Sequence, residues 1–475
     1  MTNHFDLCII GSGSGNTIVD DRFDGWKVAI VERGVYGGTC LNVGCIPTKM
    51  LVYPADLVED ARDAARFGVD LDVGGVRWSD IRDRVFGRID PISASGLEYR
   101  KDLPNVTVFE ANAAFVGHKR LRVGAEEITA DRFVIAAGAR SVVPEISGLA
   151  EVPFDTSDTI MRIDEVPEHL VVIGGGFIAL ELAHVFEAYG ATVTVLARGD
   201  RVARTEDLEI SERITRHFAE RLDLRLNTRI HRVEFDPSSP ASDAKAGDAS
   251  SAVGRYRVTV EGNEGTEVIE ADRLLVAVGR IPNGDQLEVQ RTGVRLDDAG
   301  YVITDATMAT DADGIWALGD VCNPMQLKHV ANHEARVVQH NLLHPEAVER
   351  VAEAVVPYGI FASPQIASVG AKEHELIDAG RPYVAALKEY ADTAYGWAMQ
   401  DTQSCVKVLA DPATGRILGA HIIGPDAAVM IQILVMAMSF DLPVEQVARN
   451  MMYPHPALSE VVENALLDLC AAMGR

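Results

Sequence analysis

Hydrophobic positions fall along this chain in short blocks, several of them closed by glycine. Phe5 to Ile10 is an apolar run. Gly11-Ser12-Gly13-Ser14-Gly15-Asn16 comes next, and Val28-Ala29-Ile30-Val31 is a second run that ends in Glu32. The pattern predicts strand, turn, helix, strand: a compact βαβ unit with an acid where a ribose-binding carboxylate belongs. Asn16 stands where a third glycine is usual. The pattern then recurs. Leu170 to Ile173 predicts a strand, Gly174-Gly175-Gly176-Phe177-Ile178-Ala179 a turn of the G-x-G-x-x-A type, Glu181 to Tyr189 a helix, and Thr192 to Leu196 the next strand. One glycine turn of this kind is weak evidence. Two, each in strand–turn–helix context, predict two Rossmann-like units that hold two dinucleotides, because glycine lets backbone N–H groups approach a diphosphate.

The remaining pattern divides the chain further. Segment 236–254 is rich in Ser, Ala, Asp and Gly and predicts a mobile hairpin loop inside the second unit. Leu274 to Gly279-Arg280 predicts a buried strand and turn, and Ile315-Trp316-Ala317-Leu318-Gly319-Asp320 another strand ending in Gly-Asp. From about residue 346 strands and helices continue without glycine turns, with Ile417 to Ile423 as a strand.

At 475 residues the chain is too long for one core, and the length prior suggests about two to four domains. It is 47% hydrophobic but has no apolar run long enough to span a membrane. The first residues, Met1 to Asp6, lead straight into a strand with no signal-type segment, so a cytoplasmic setting is the default expectation. A net charge of −26 argues against nucleic acid and anionic membrane as partners.

Six cysteines in this length are no disulfide scaffold. Cys8, Cys322, Cys405 and Cys470 are scattered and read as small inert thiols. Cys40 and Cys45 lie in Gly37-Gly38-Thr39-Cys40-Leu41-Asn42-Val43-Gly44-Cys45-Ile46-Pro47-Thr48-Lys49. A regular helix would separate their Cα atoms by roughly 8 Å, beyond the 4.4–6.8 Å or so that a disulfide accepts. If they bond, the segment must bend or only begin its helix there, with Pro47 in the first turn. Such a small ring suggests a bond made to open and close. A zinc site would need two further ligands, which no nearby Cys or His pair supplies. The tip of the second nucleotide strand, Leu196-Ala197-Arg198, carries no acid. Arg198 with Arg204 suits a 2′-phosphate and so favours NADPH over NADH, the other reading being a solvated loop.

The GGTCLNVGCIPTK run, the two glycine motifs, the Ala-Leu-Gly-Asp strand and the tail Tyr453-Pro454-His455-Pro456-Ala457-Leu458-Ser459-Glu460 together resemble the pyridine nucleotide–disulfide oxidoreductases of the glutathione reductase and lipoamide dehydrogenase type, over essentially the full length. The resemblance implies an α/β fold: an FAD-binding domain over 1–149 and 272–345, an NADPH-binding domain over 150–271, and an α+β dimerisation domain over 346–475. It implies a homodimer in which each subunit completes its partner's active site. It places Gly11, Gly13, Gly15, Glu32, Thr39, Lys49, Ala113, Gly138, Asp320 and His329 at FAD. Gly174, Gly176, Phe177, Ile178, Ala179, Arg198, Arg204 and Gly279 go to NADPH, Phe177 as an aromatic gate over the nicotinamide pocket.

The catalytic residues implied are Cys45, the charge-transfer thiolate nearer the flavin, and Cys40, the interchange thiol. His455, oriented by Glu460, is the proton carrier, and Lys49 with Glu181 is an ion pair beside the flavin. Within the family, runs such as Val85 to Ile92, Lys328 to Arg336 and Ala394 to Met399 resemble the actinobacterial branch whose substrate is mycothione, the disulfide of mycothiol. A dihydrolipoamide dehydrogenase or another small-disulfide reductase is the alternative. Its NAD preference would ask for an acid near Arg198. A glutathione reductase would carry an arginine where Asp20-Asp21 stands, and a mercuric reductase would add a metal-binding module and a paired C-terminal cysteine. Tyr395 and Trp397 could equally pack a core.

Overall fold

The computed structural model describes residues 3–237, 254–263, 265–351 and 355–475. Two mostly parallel sheets form its nucleotide-binding part. In the first, strands run in the order Val106–Glu110, Val28–Glu32, Asn3–Ile10, Glu126–Ile135, Arg120–Val123, Ala113–Gly117, and Ile315–Ala317 pairs with the far side of Glu126–Ile135. Its centre is parallel, with Leu7 opposite Val28 and Cys8 opposite Phe133. The second sheet is all parallel, in the order Asp223–Arg225, Thr192–Leu196, His169–Ile173, Arg273–Val276. Leu170, Val171 and Val172 are fully buried, as an unbroken apolar run on a two-sided sheet requires.

The two glycine turns are built alike. Gly11 has φ +108° and Gly174 φ +138°. A Cβ would lie 2.2 Å from the Ala136 carbonyl oxygen at Gly11 and 2.3 Å from that of Ala277 at Gly174. Each turn therefore presses on the neighbouring strand end where no side chain fits.

The segments after the two turns differ. The second turn leads into the expected helix, Phe177–Ala188, almost wholly buried. After the first the expected helix is absent. Two short 3₁₀ turns, Ser14–Thr17 and Asp21–Phe23, stand in its place. The β-branched run Thr17-Ile18-Val19 is a poor helix former. Asp20 then accepts from the Arg22 backbone N–H at 3.1 Å and starts a new turn, while Ile18 and Phe23 are buried in the core.

The expected boundary at 271/272 also moves. Arg273–Val276 pairs with His169–Ile173 and so belongs to the second sheet. The chain reaches the first unit only at Arg280–Pro282, which pairs with Ala139–Ser141. Leu274 and Leu275 are fully buried there, and that apolar edge of the second sheet is what holds the strand. The expected hairpin loop at 236–254 lies almost entirely outside the described residues. The strands flanking it, Arg229–Asp236 and Arg255–Gly262, pair antiparallel.

The C-terminal block is a five-stranded antiparallel sheet, in the order Pro357–Ile360, Ile366–Gly370, Ile417–Ile423, Cys405–Ala410, Val384–Glu389. Helices Ala427–Ser439 and Ser459–Ala472 pack on it and share one apolar cluster with it. Among the described residues no helix is long and apolar enough to cross a membrane. Tyr395 and Trp397 are 44% and 66% exposed, so within one chain they do not pack the core. Cys8, Cys405 and Cys470 are buried, and burial raises the thiol pKa of these three and of Cys322.

Candidate active site

Cys40 and Cys45 are joined by a disulfide with Cα atoms 4.7 Å apart. The separation follows from a break between two helices. Gly38–Asn42 ends at Val43, and Cys45–Asp63 starts after Gly44, with Pro47 in its first turn. A Cβ on Gly44 would lie 2.9 Å from the Thr39 carbonyl oxygen and 3.2 Å from the Cys40 Cα, so only glycine allows the reversal.

The disulfide segment lies on the first glycine turn. Gly38 has φ +74°, and its Cβ would meet the Gly13 Cα at 2.6 Å. Ser12 Oγ accepts from the Gly37 N–H at 2.8 Å and donates to Glu32 at 2.7 Å. Glu32 also accepts from the Ser12 and Gly34 N–H groups. A carboxylate has about four lone-pair positions, so Glu32 retains capacity for a ribose hydroxyl. Asn16 turns out to be an acceptor site. Its Oδ1 accepts from Tyr36 Oη at 2.6 Å and Arg100 Nε at 2.8 Å, and its carbonyl from Arg100 Nη2 at 2.6 Å.

One large cleft of about 2270 Å³ takes in most of the expected residues. Cys40, Cys45 and Lys49 line it, with Gly11, Gly13, Glu32, Thr39, Ala113, Gly138, Asp320 and His329. Gly176, Phe177, Ile178 and Glu181 line it from the second unit. Phe177 is 48% exposed at the start of its helix. Lys49 Nζ donates to both oxygens of the buried Glu181, at 2.7 and 2.6 Å. Glu181 also accepts from the Phe361 N–H at 2.8 Å, and Lys49 lies over the Phe361 ring. Burial raises the Asp320 carboxyl above its ordinary range, against the pull of Arg280 and Lys328. His329 donates to the Pro357 carbonyl at 2.8 Å.

Other expected residues lie outside the cleft lining. Gly15, Gly174 and Gly279 shape turns behind it, and Ala179 is buried in the core beneath it. Arg198 and Arg204 are exposed beyond the second strand tip, with Asp200 between them, 3.9 Å from Arg204. The loop is anchored by residues that the sequence did not single out. Glu206 accepts from Ser368 Oγ at 2.7 Å and Tyr358 Oη at 3.2 Å, and Asp207 pairs with Lys407 at 2.7 Å. Burial raises the Glu206 pKa. His455 and Glu460 also lie away from the cleft. Nδ1 of His455 is 2.7 Å from Glu460, and the imidazole is 72% exposed. The hydrogen bond from His455 holds the Glu460 carboxyl below its ordinary range.

The residues present fit two dinucleotides. The cleft exceeds the roughly 300–1,000 Å³ of an ordinary small-molecule site. Arg280, 8% exposed in its side chain and among the cleft-lining residues, has a buried Nε without a partner. A Cβ at Gly138 or Gly176, both in the cleft lining, would meet nothing within 4 Å, which leaves the backbone there open to a ligand.

Comparison with known proteins agrees with this architecture. The family model described as pyridine nucleotide-disulphide oxidoreductase matches residues 5–335, and that of the family's dimerisation domain matches 356–466. The chain is 46% identical over 475 residues to the mycothione reductase of Mycobacterium tuberculosis (strain ATCC 25618 / H37Rv), covering 98% of this chain and 99% of that protein. It is 32% identical to the dihydrolipoyl dehydrogenase of Haloferax volcanii, covering 97% and 96%. The solved structure of the HOCl-induced flavoprotein disulfide reductase RclA from Escherichia coli superposes with a TM-score of 0.81 at 28% identity, covering 97% of this chain and 99% of that one. With both family models matched along its length and a dithiol pair joined in its cleft, the chain belongs to the pyridine nucleotide-disulphide oxidoreductase family.

Proposed function

We propose that this enzyme uses NADPH to reduce mycothione to two molecules of mycothiol, and so maintains the thiol pool of a reducing cytoplasm. FAD and NADPH fit both the family and the mycothione reductases within it. The observation that carries the substrate assignment is the 46% identity to a mycothione reductase over nearly the whole of both chains. The chemistry supplied when FAD is bound is two-electron transfer between NADPH and the Cys40–Cys45 disulfide.

The chain's own residues do the rest. Cys40 attacks the substrate disulfide as a thiolate, forms a mixed disulfide and releases the first thiol. Cys45 then attacks the Cys40 sulfur, remakes the internal disulfide and releases the second. Each leaving thiolate needs a proton, and an imidazole serves for that near neutral pH. His455 has its Nδ1 fixed on Glu460 and its other edge exposed, away from its own cleft. His455 of the partner subunit is therefore the proton carrier in a homodimer, which the matched dimerisation domain supports. Lys49 and Glu181 tie the Cys45 helix to the Phe177 helix. Arg198 and Arg204 hold the 2′-phosphate of NADPH. The domain division read from the sequence remains our proposal, with the second boundary set after Val276 because Arg273–Val276 pairs with His169–Ile173.

Steady-state oxidation of NADPH and of NADH, with mycothione and then lipoamide as acceptor, tests this reading. Rapid turnover of mycothione with NADPH is expected. Strong lipoamide turnover with NADH would make the chain a dihydrolipoamide dehydrogenase instead.

A further inference from the structure

A glycine turn that binds a diphosphate ordinarily gains positive potential from the helix it leads into. Here only the second turn has that helix. The first leads into the four-residue 3₁₀ turn Ser14–Thr17, too short to supply a macrodipole. A cation reaches the same turn from far along the chain. Lys328 opens the helix Lys328–Leu343, and its Nζ donates to Ser14 Oγ at 2.9 Å. Ser14 Oγ in turn donates to Asn332 Oδ1, one turn further along that helix, at 3.1 Å. Lys328 lines the cleft beside Gly13 and Ser14. Among the described residues it forms no ion pair, so its charge meets a neutral hydroxyl. We infer that Lys328 is a diphosphate-binding residue for FAD, supplying from a distant helix the positive charge that the missing first helix does not.

Two further observations agree. Burial lowers the Lys328 pKa although Asp320 pulls the other way, so that carboxylate offsets only part of the cost of burying the charge and an arriving anion would offset more. Lysine is also a point charge on a flexible stem, which suits a diphosphate that presents several oxygens.

The inference rests on the first turn holding FAD, and the test separates the two. FAD release from the holoenzyme is monitored by flavin fluorescence at several salt concentrations, for the parent, K328M, K328R and E32A. A charge-assisted contact of this kind predicts roughly 10- to 100-fold weaker FAD binding in K328M. It also predicts a shallower dependence on salt, and near-parent binding in K328R. If K328M emerges without flavin, titration of FAD into that protein gives the same two readings. Binding within twofold of the parent, or weakening with an unchanged salt dependence, overturns the role of Lys328. E32A separates the outcomes. Loss of FAD in E32A alone leaves the turn as the FAD site without Lys328, whereas tight binding in both variants removes FAD from this turn.

Discussion

Replacing Glu181 by glutamine tests how the two nucleotide-binding units are held in register. Glu181 is 4% exposed in its side chain and Lys49 33%. Three hydrogen bonds converge on the carboxylate, two from Lys49 Nζ and one from the Phe361 N–H. An exposed pair contributes about 0–1 kcal/mol, and breaking a fully buried one costs about 3–5 kcal/mol. With one partner buried and the other a third exposed, the loss should fall between, at about 2 kcal/mol for E181Q. Glutamine keeps the size and an acceptor for Phe361, so the loss isolates the charge. E181A also strands the Phe361 N–H and should lose about 1–2 kcal/mol more. Urea unfolding of the holoenzyme monitored by tryptophan fluorescence measures this, because Trp78 packs 5.8 Å from Phe186 of the Glu181 helix. A double-mutant cycle with K49M apportions it, and a coupling of about 1–2 kcal/mol is expected. Coupling below about 0.3 kcal/mol would refute the reasoning and leave the pair a neutral contact.

Four further outcomes are expected. R198A and R204A should each raise the KM for NADPH about tenfold or more, at about 1.5 kcal/mol per charge-assisted contact, and leave that for NADH nearly unchanged; equal changes for both nucleotides would make these arginines a solvated loop. C45S should lose the long-wavelength absorbance of a thiolate beside the flavin, while C40S keeps it and loses disulfide reduction; identical spectra would contradict the two roles. N16A removes the acceptor of Tyr36 and Arg100 Nε and should destabilise by about 2 kcal/mol, read as a lower thermal midpoint, with N16D less affected; an unchanged midpoint in N16A would mean that these donors find other partners. Glu460 is held below its ordinary pKa of 4.5, so its contribution is fully present above that pH and is lost as pH falls through the depressed folded value. The gap in melting temperature between the parent and E460Q should therefore close only below pH 4.5, and a gap independent of pH would remove the carboxylate from the account.

The strands were legible because burial on both faces leaves an unbroken apolar run, as in Leu170 to Ile173 and Ile417 to Ile423. The βαβ core of the second nucleotide unit was legible, since its helix is apolar nearly all round. The first was not, because a helix was inferred from its place between two strands. Thr17-Ile18-Val19-Asp20 carried the contrary local signal, and that signal prevailed. Asn16 looked like a relaxed motif. It is an acceptor for Arg100 and Tyr36, donors far away in sequence that nothing local announces. Arg273–Val276 was assigned to the wrong unit because an apolar strand does not state which sheet edge it joins.

The sequence alone determined the kinds of chemistry. Cysteines five apart with a glycine between them, two glycine turns, an acid at one strand tip and arginines beyond the other are local patterns, and local backbone constraints dictate their residue types. The tertiary structure decided which of these groups meet. It closed Cys40 onto Cys45 through the break at Gly44, set Gly38 against Gly13, joined Lys49 to Glu181, brought Lys328 to Ser14, and left His455 outside the lining of its own cleft. Each of these depends on pairing between segments distant along the chain, fixed by the packing of whole sheets and helices, which no short window of residues encodes.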